Sequence, residues 1–298
     1  MTTAGEAMAC LAAPAPGPLA LGGSLGLTVA GAEANVAIAL ARLGHEVEWI
    51  GRLGDDQLGE LVLRTLRGEG VDVGRVRQDG GAPTGLMIKE RRLGTRTRVH
   101  YYRAGSAGSR LSGADVEGDA DVVHLTGITP ALGAGPRAAA EALAERAGTL
   151  SFDVNFRARL WDSPAAARDA LMPLARRAGI VFGDTGELEL VGGASALLEA
   201  GVEVVVVKRG ADGAEAVTGS RTVRCAAPVV AAVDTVGAGD ALCAGFLSGR
   251  LDGLAVDAAL DRAVRVAAFA VASSGDWEGL PRRAELELLD VEEGATVR

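Results

Sequence analysis

One valine-rich segment, VEVVVVKRG at residues 202–210, constrains the fold more than any other part of the chain. Its apolar residues lack the polar alternation of a half-exposed strand, so it predicts a strand buried on both faces, as in a parallel sheet. Similar strands are predicted before it, with helices near 136–147, 164–178 and 185–199 between them: DVVHLTG (121–127), LSFDVN (150–155) and IVFGD (180–184). This alternation predicts an α/β fold with a doubly wound, mostly parallel sheet.

The N-terminal part continues the same alternation. Residues 1–10 predict a short strand that ends in a turn at Gly5–Glu6. GAEANVAIALARLG (31–44) predicts an apolar helix that Gly44 closes. VEWIGRLG (47–54) predicts a buried strand and a turn, and DDQLGELVLRTLRGEG (55–70) predicts an amphipathic helix.

Two segments interrupt this pattern. Residues 83–103, PTGLMIKERRLGTRTRVHYYR, alternate with a period near two and predict a hairpin with its turn at 93–95. Residues 11–26 are dense in proline and glycine, which cannot hold a helix. We interpret the two segments as a small β lid, from about 11–30 and 82–106, on a single α/β domain that spans 1–298.

Composition excludes several classes of protein. The net charge of −9 and the pI of about 5.0 disfavour nucleic acid as a partner. The apolar runs are too short to span a membrane. Cys10, Cys225 and Cys243 lie far apart, which disfavours a disulfide framework or a zinc site. The first basic residue is Arg42, so the N-terminus does not resemble a secretory signal, and we predict a cytoplasmic protein.

The most informative site motif is VDTVGAGDALCAGFLSG at 233–249. Gly237, Ala238 and Gly239 leave backbone N–H groups accessible before a helix predicted to open at Asp240, which is a suitable anion site. A carboxylate there is stabilised in its ionised form and can accept a proton. A glycine turn that only caps a packed helix is the alternative, but the flanking Asp234 and Asp240 favour phosphoryl transfer to a hydroxyl.

Long motifs at both ends of the chain resemble a known family. DTVGAGDA resembles the C-terminal signature of the ribokinase-like carbohydrate kinases, and GAEANVAIALARLG followed by GRLGDDQLGE resembles their N-terminal signature. The resemblance covers nearly the whole chain. It implies an α/β core with a β lid that closes over a sugar, and ATP and Mg²⁺ for transfer of the γ-phosphoryl group to a sugar hydroxyl.

The resemblance also implies roles for individual residues. Asp240 would be the general base, and Glu187 would bind the metal directly or through water. The anion hole would consist of Gly237, Ala238 and Gly239. The nucleotide would be bordered by Asn155, Asp184, Lys208, Gly210, Asp212, Gly213, Gly237, Gly239 and Val264. Asp184 replaces an asparagine of the family and adds a negative charge near the triphosphate. Val264 replaces an amide near the adenine.

Several segments resemble the 2-keto-3-deoxygluconate kinase branch: VHYYRAGSAGSRL, DVNFRARLW, HLTGITPAL and SSGDWEG. The carboxylate of such a sugar acid suits a bidentate guanidinium, which Arg103 and Arg157 offer. Strand alternation places Tyr101 and Arg103 on one face and Tyr102 on the other. We expect Arg96 and Arg98 to face solvent. The remaining substrate contacts implied by the resemblance are Gly31, Ala32, Asn35, Met87 and Asp276.

Alternatives stay open at this point. Ala30 and Met87 depart from the pattern of the branch, which leaves room for 2-keto-3-deoxygalactonate, and a kinase of fructose or ribose is a further possibility. A sugar- or nucleotide-binding regulator without catalysis is disfavoured by the intact Asp240 and its glycine loop. A nicotinamide dehydrogenase is disfavoured because the early GxGxxG motif is missing. An exposed lid edge predicts a homo-oligomer, a dimer or larger.

Overall fold

The computed structural model describes residues 1–93 and 96–291. Its strands are β1 (Thr2–Ala4), β2 (Met8–Ala12), β3 (Gly26–Ala30), β4 (Glu48–Ile50), β5 (Arg52–Gly54), β6 (Arg77–Asp79), β7 (Leu86–Leu93), β8 (Arg96–Tyr102), β9 (Ala120–Thr126), β10 (Ala147–Asp153), β11 (Ile180–Gly183), β12 (Val204–Lys208), β13 (Ala214–Thr218) and β14 (Thr222–Cys225). Its α-helices are α1 (Ala32–Arg42), α2 (Gln57–Gly68), α3 (Ala134–Arg146), α4 (Pro164–Arg177), α5 (Thr185–Leu190), α6 (Gly193–Glu199), α7 (Ala238–Leu251) and α8 (Val256–Val271).

The main sheet has eight strands in the order β14-β13-β12-β11-β10-β9-β1-β4. The strands from β12 to β4 pair in parallel, and β13 and β14 add an antiparallel edge. This arrangement confirms the predicted α/β fold with a mostly parallel sheet.

The valine strand β12 explains why the sheet is covered on both faces. Val204 and Val206 pack into one apolar core with α1, α7 and α8, whereas Val205 and Val207 pack into a second core with α3, α4, α5 and α6. All four are buried. Because side chains alternate along a strand, an uninterrupted run of valines must supply both cores. Burial of each valine contributes about 1.5 kcal/mol or more.

A second, four-stranded sheet lies apart from the first, in the order β3-β2-β7-β8. The sequence predicted the hairpin of β7 and β8 and grouped residues 11–30 with it in one β unit, but it did not predict the individual strands β2 and β3. The three prolines nearest to them, Pro14, Pro16 and Pro18, lie in the connection between β2 and β3 and leave both strands intact. Of the predicted turn, Gly94, Thr95 and the side chain of Leu93 lie outside the described residues. That the second sheet acts as a lid stays a prediction.

The chain crosses between the two sheets over very few residues. β1 belongs to the main sheet and β2 to the second, so the crossing takes place at Gly5, Glu6 and Ala7. It returns between β3 and α1 at Gly31, where an added Cβ would stand 2.5 Å from the carbonyl oxygen of Glu6. None of the described helices is sufficiently long and apolar to traverse a bilayer.

Candidate active site

A cavity of about 500 Å³ lies between the two sheets, at the carboxyl ends of β10, β11 and β12. This is where open α/β sheets commonly bind ligands. The predicted site residues that line it are Gly31, Ala32, Asn35, Met87, Tyr101, Arg103, Asn155, Arg157, Asp184, Glu187, Lys208, Gly210, Gly237, Gly239, Asp240 and Asp276. Segments far apart in sequence therefore meet in one place.

A second cavity of about 570 Å³ adjoins the first and shares Lys208, Gly210 and Gly239 with it. Its walls are mostly apolar, and they include three further predicted nucleotide or anion-hole residues: Gly213, Ala238 and Val264. Asp212 differs from its neighbours, because it is exposed in a single turn after β12 and lines neither cavity.

The glycine loop sits at the start of α7, on the wall of the first cavity. Gly237 has a φ of 79°, and a Cβ there would lie 2.1 Å from the carbonyl oxygen of Asp276, so only glycine fits. Because Gly237 is the cap, α7 begins at Ala238, two residues before the predicted start at Asp240. The first amide groups of a helix have no intrahelical acceptor, and Gly239 and Asp240 line the cavity. The loop can therefore receive an anion.

Asp240 occupies the first turn of α7. Asn35 donates a hydrogen bond from Nδ2 to its Oδ2 at 2.8 Å. Burial raises the pKa of Asp240 to about 6, with the Asp153 carboxylate acting in the same direction and Asn35, Lys208 and Arg157 opposing them. The sequence had predicted that the helix start would favour the carboxylate, but burial has the larger effect. At neutral pH most of the population is still ionised and able to accept a proton.

Arg103 and Tyr101 both line the cavity, whereas Tyr102 lies outside it with 61% of its surface exposed. The Arg103 guanidinium pairs with Glu6, a carboxylate that is only 2% exposed, and Nε lies 2.6 Å from Oε2. The Ser106 hydroxyl donates to the other oxygen of Glu6. The predicted anion-binding arginine is thus already held on one side by a buried acid.

Lys89 on β7 forms an ion pair with Asp276 and is nearly inaccessible to solvent. Burial lowers the pKa of its ammonium group. Lys89 and Met87 share one face of β7, and both line the cavity. The pair therefore connects the second sheet to the loop that packs against Gly237.

Three carboxylates and two cations, Lys208 and Arg157, lie close together where the main strands end. Lys208 Nζ lies 2.7 Å from Asp153 Oδ1 and 3.8 Å from Glu187 Oε2. Glu187 and Asp184 form a capping box at the start of α5, and Glu187 Oε1 also accepts the amide N–H of Phe156 at 2.9 Å. Burial raises the pKa of Glu187. Arg157 is half exposed, with Nη1 3.7 Å from Glu187 Oε1.

These residues fit a magnesium ion that is shared with a phosphate ligand. Across residues 1–93 and 96–291, no group of three His, Cys, Asp or Glu side chains could hold a metal ion alone. Mg²⁺ is usually bound through one or two carboxylates, with phosphate oxygens and water as the other ligands. Glu187 and Asp184 bring two carboxylates to the cavity wall, which suits such a partial site.

Sequence reasoning missed four buried charged residues of the cavity: Glu6, Glu33, Lys89 and Asp153. Glu33 accepts hydrogen bonds from the hydroxyls of Thr126 and Thr129, each at 2.7 Å, and burial raises its pKa to about 7. The available signal was a charged residue inside an otherwise apolar segment, as in AGEAMA or LSFDV. Asn155 was predicted, and it adopts a strained φ of 39° on the cavity wall.

Comparison with known proteins identifies the family. The model of the pfkB family of carbohydrate kinases matches residues 2–283. The chain belongs to this family. It is 39% identical to a 2-dehydro-3-deoxygluconokinase of Bacillus subtilis (95% of this chain, 93% of the relative) and 38% identical to one of Thermoproteus tenax (96% and 92%). It is also 36% identical to a 2-dehydro-3-deoxygalactonokinase of Haloferax volcanii (93% and 92%).

A solved structure places the fold in the same group. A protein from E. coli assigned to ribokinase II, in complex with ATP and Mg²⁺, aligns with a TM-score of 0.90 at 26% identity over 97% of this chain and 98% of its own. The carbohydrate kinase activity and the ribokinase-like fold expected from the terminal motifs are therefore confirmed.

Proposed function

We propose that this carbohydrate kinase transfers the γ-phosphoryl group of ATP to the terminal hydroxyl of 2-keto-3-deoxygluconate, also called 2-dehydro-3-deoxygluconate. The observation that carries the proposal is the meeting of Arg103, Arg157 and Asp240 in one cavity. Two guanidinium groups and a carboxylate base on the walls of one cavity suit a sugar acid, which offers a carboxylate to the cations and a hydroxyl to the base. The two relatives named for this substrate support the choice.

The substrate is oriented through its carboxylate. Arg103 and Arg157 donate charge-assisted hydrogen bonds to it, and Tyr101 offers its hydroxyl and ring beside Arg103. Glu6 holds the guanidinium of Arg103 from the opposite side, which fixes the direction of its free N–H groups. Gly31 and Asn35 meet the sugar from the core, and Met87 and Asp276 from the remaining walls.

Asp240 acts as the general base. It takes the proton of the terminal hydroxyl while that oxygen forms its bond to the γ-phosphorus and the bond to the departing ADP breaks. The amide groups of Gly237, Ala238 and Gly239 stabilise the charge that spreads over the phosphoryl oxygens. Mg²⁺, held by Glu187 and Asp184 directly or through water, would neutralise part of the same charge when bound.

The nucleotide occupies the second, apolar cavity. Val264 contributes to a wall suited to a purine, and Gly210, with open space beside it, lets the backbone approach the ligand. Gly213 also lines this cavity, and a Cβ there would lie 2.0 Å from the carbonyl oxygen of Cys225. The boundary between the two cavities is lined by Lys208 and Gly239, and Asn155 lines the first cavity. The second sheet closes over the sugar as a lid and excludes water, which limits hydrolysis of ATP.

The test is an ADP-release assay over 2-keto-3-deoxygluconate, 2-keto-3-deoxygalactonate, fructose and ribose. We expect the highest kcat/KM with 2-keto-3-deoxygluconate. Arg103→Leu should lower kcat/KM for the keto acids about 10- to 100-fold, because a charge-assisted contact is lost. For neutral sugars it should change less than about threefold. A wild-type preference for fructose or ribose, or an equal loss for all four sugars, contradicts the proposal.

The second candidate substrate is 2-keto-3-deoxygalactonate. Ala30 and Met87 both line the cavity at positions where the chain departs from the gluconate branch, and one relative is named for the galactonate. The two acids differ in the configuration of one hydroxyl and share the carboxylate, so Arg103→Leu should affect both. Their ratio of kcat/KM values in the wild-type enzyme distinguishes the two proposals.

A further inference from the structure

Lys208 stands at the boundary between the two cavities, at the end of β12. A Cβ added to Gly239 would lie 3.6 Å from Lys208 Nζ, so the ammonium group lies next to the glycine loop. Asp153 Oδ1 holds it at 2.7 Å, and the other Asp153 oxygen lies 3.6 Å from Cys243 Sγ. The ammonium is thus held by a carboxylate at the end of β10, and that carboxylate in turn contacts α7.

The carboxylates of the cavity favour a cation at this place. Asp153, Asp184, Glu187 and Asp240 all line the first cavity, whose wall also includes Gly237 and Gly239 of the glycine loop. A phosphoryl group that approached them without local positive charge would be repelled. Lys208 supplies positive charge there, because its Nζ lies 2.7 Å from Asp153 Oδ1 and 3.8 Å from Glu187 Oε2.

We propose that Lys208 is a catalytic cation of the phosphoryl transfer and that Asp153 is its positioning residue. The inference rests on the proposed kinase reaction and adds a contact to it. The ammonium group donates to an oxygen of the phosphoryl group as that group passes from the second cavity to the first. Asp153 accepts one of its three N–H bonds and directs the others toward the glycine loop.

Steady-state kinetics test the role of Lys208. Lys208→Met should lower kcat about 100-fold, as loss of one donor to a developing anion does, and should change the KM for the sugar less than about threefold. Lys208→Arg should recover part of the rate because it restores the charge. The matched control is Arg209→Met, whose guanidinium pairs with Glu215 outside both cavities and whose loss should leave kcat unchanged. A kcat within threefold of wild type in Lys208→Met overturns the proposal.

Asp153→Asn tests the positioning role, since it keeps the shape of the side chain and removes its charge. We expect kcat to fall about 10-fold at an unchanged KM for the sugar. Lys208→Met leaves Asp153 buried without its cation and can fail to fold. The double variant Lys208→Met, Asp153→Asn removes both charges, so a folded double variant with the full loss of kcat supports the proposal, and one with normal kcat overturns it.

Nucleotide binding separates this inference from the proposed sugar. Calorimetry needs no sugar and compares a non-hydrolysable ATP analogue with ADP, both with Mg²⁺. Lys208→Met should weaken the analogue at least about 10-fold and ADP less than about threefold, because only the analogue places a phosphoryl group at the glycine loop. If Lys208→Met weakens the affinity for both nucleotides equally, the proposed role of Lys208 is wrong. If the wild-type enzyme does not phosphorylate keto acids, only the proposed sugar substrate is wrong.

Discussion

Several effects act in opposite directions on the pKa of Asp240, and their balance cannot be read from the sequence. The first turn of α7 and the hydrogen bond from Asn35 favour its carboxylate, whereas burial and the nearby Asp153 favour its protonated form. Burial prevails, so the pKa is raised without reaching neutrality. A base with a pKa slightly below the working pH is both ionised and reasonably strong, which suits general-base catalysis.

Asp240→Asn removes the base but keeps the size of the side chain and its contact with Asn35. We expect kcat to fall at least about 100-fold, while the KM for sugar and nucleotide changes little. The ADP-release assay measures both. Asp119→Asn is a suitable control, because this carboxylate is exposed and lines neither cavity. Near-normal turnover in Asp240→Asn means that another group accepts the proton.

The acid side of the pH profile follows from the same residue. The base works in its ionised form and its pKa is raised to about 6, so kcat/KM should rise with pH through about 6 and level off above it. An unperturbed aspartate, with a pKa near 4, would leave the rate flat down to about pH 5. Rates at saturating nucleotide from pH 5 to 8 distinguish the two profiles.

The sequence identified the site residues that belong to recognisable motifs. It did not identify Glu6, Lys89 or Asp153, because each owes its position to a distant partner. Glu6 meets Arg103 from 97 residues away, and Asp153 meets Lys208 from 55 residues away. A buried charge inside an apolar segment indicates that a partner exists, but only the fold specifies which one.

At the level of elements, two ion pairs join the second sheet to the core. Arg103, just after β8, reaches Glu6 in the crossing between β1 and β2, and Lys89 on β7 reaches Asp276 beside the glycine loop. Both pairs are largely buried. Their positions couple the orientation of the second sheet to the cavity wall, so substitutions there change folding stability as well as binding.

Arg103→Leu should therefore destabilise the protein in addition to weakening substrate binding. It leaves Glu6 buried without a cation, which costs about 3 kcal/mol. The double variant Glu6→Gln, Arg103→Leu removes both charges and should recover at least half of that loss. Urea unfolding of wild type, both single variants and the double variant gives the coupling free energy. A coupling free energy near zero contradicts the pairing.

This pair also supplies the control for the substrate test. The double variant restores stability without restoring the guanidinium, so it should remain poor with keto acids. If it regained kcat/KM, the effect of Arg103→Leu on the reaction would be a consequence of misfolding.

The sequence predicted those elements that have a strong period, such as the valine strand, α1 and the hairpin of β7 and β8. It placed residues 11–30 in the β unit but did not predict β2 and β3 as strands, because they are short and lie beside a segment rich in proline and glycine. β3 lies at the edge of its sheet and β2 is stabilised by the neighbours on both of its sides. Their strand conformation is therefore imposed by pairing and not by local preference.

At the scale of the whole molecule, the mostly parallel main sheet lies between two apolar cores, and several ionisable groups are buried in this part of the protein. His124 on β9 is fully buried; Nδ1 contacts Ser151 Oγ at 2.9 Å, and Nε2 has no hydrogen-bond partner among the described residues. Burial lowers its pKa to about 4. Glu33 and Asp240 shift in the opposite direction, with pKa values raised to about 7 and 6.

These shifts have opposite effects on stability as the pH falls. As the pH falls, Glu33 and Asp240 take up their protons in the folded protein at a higher pH than in the unfolded chain, because their pKa values are raised. Protonation of these two groups therefore increases the free energy of unfolding. For His124 the unfolded chain binds the proton first, so its contribution is complete above pH 6.5 and is lost progressively between 6.5 and about 4. The wild-type profile is the sum of both effects.

His124→Gln isolates the histidine. At pH 5 the unfolded chain holds a charged imidazole and the folded protein a neutral one, a difference of about 2 kcal/mol against folding. The free energy of unfolding of His124→Gln relative to wild type should therefore rise by about 2 kcal/mol between pH 7.5 and pH 5, as measured by urea unfolding at both values. Ser151→Ala disturbs the same place without removing the imidazole, so its difference from wild type should be similar at the two pH values. A constant difference for His124→Gln would mean that His124 takes up its proton in the folded protein as readily as in the unfolded chain.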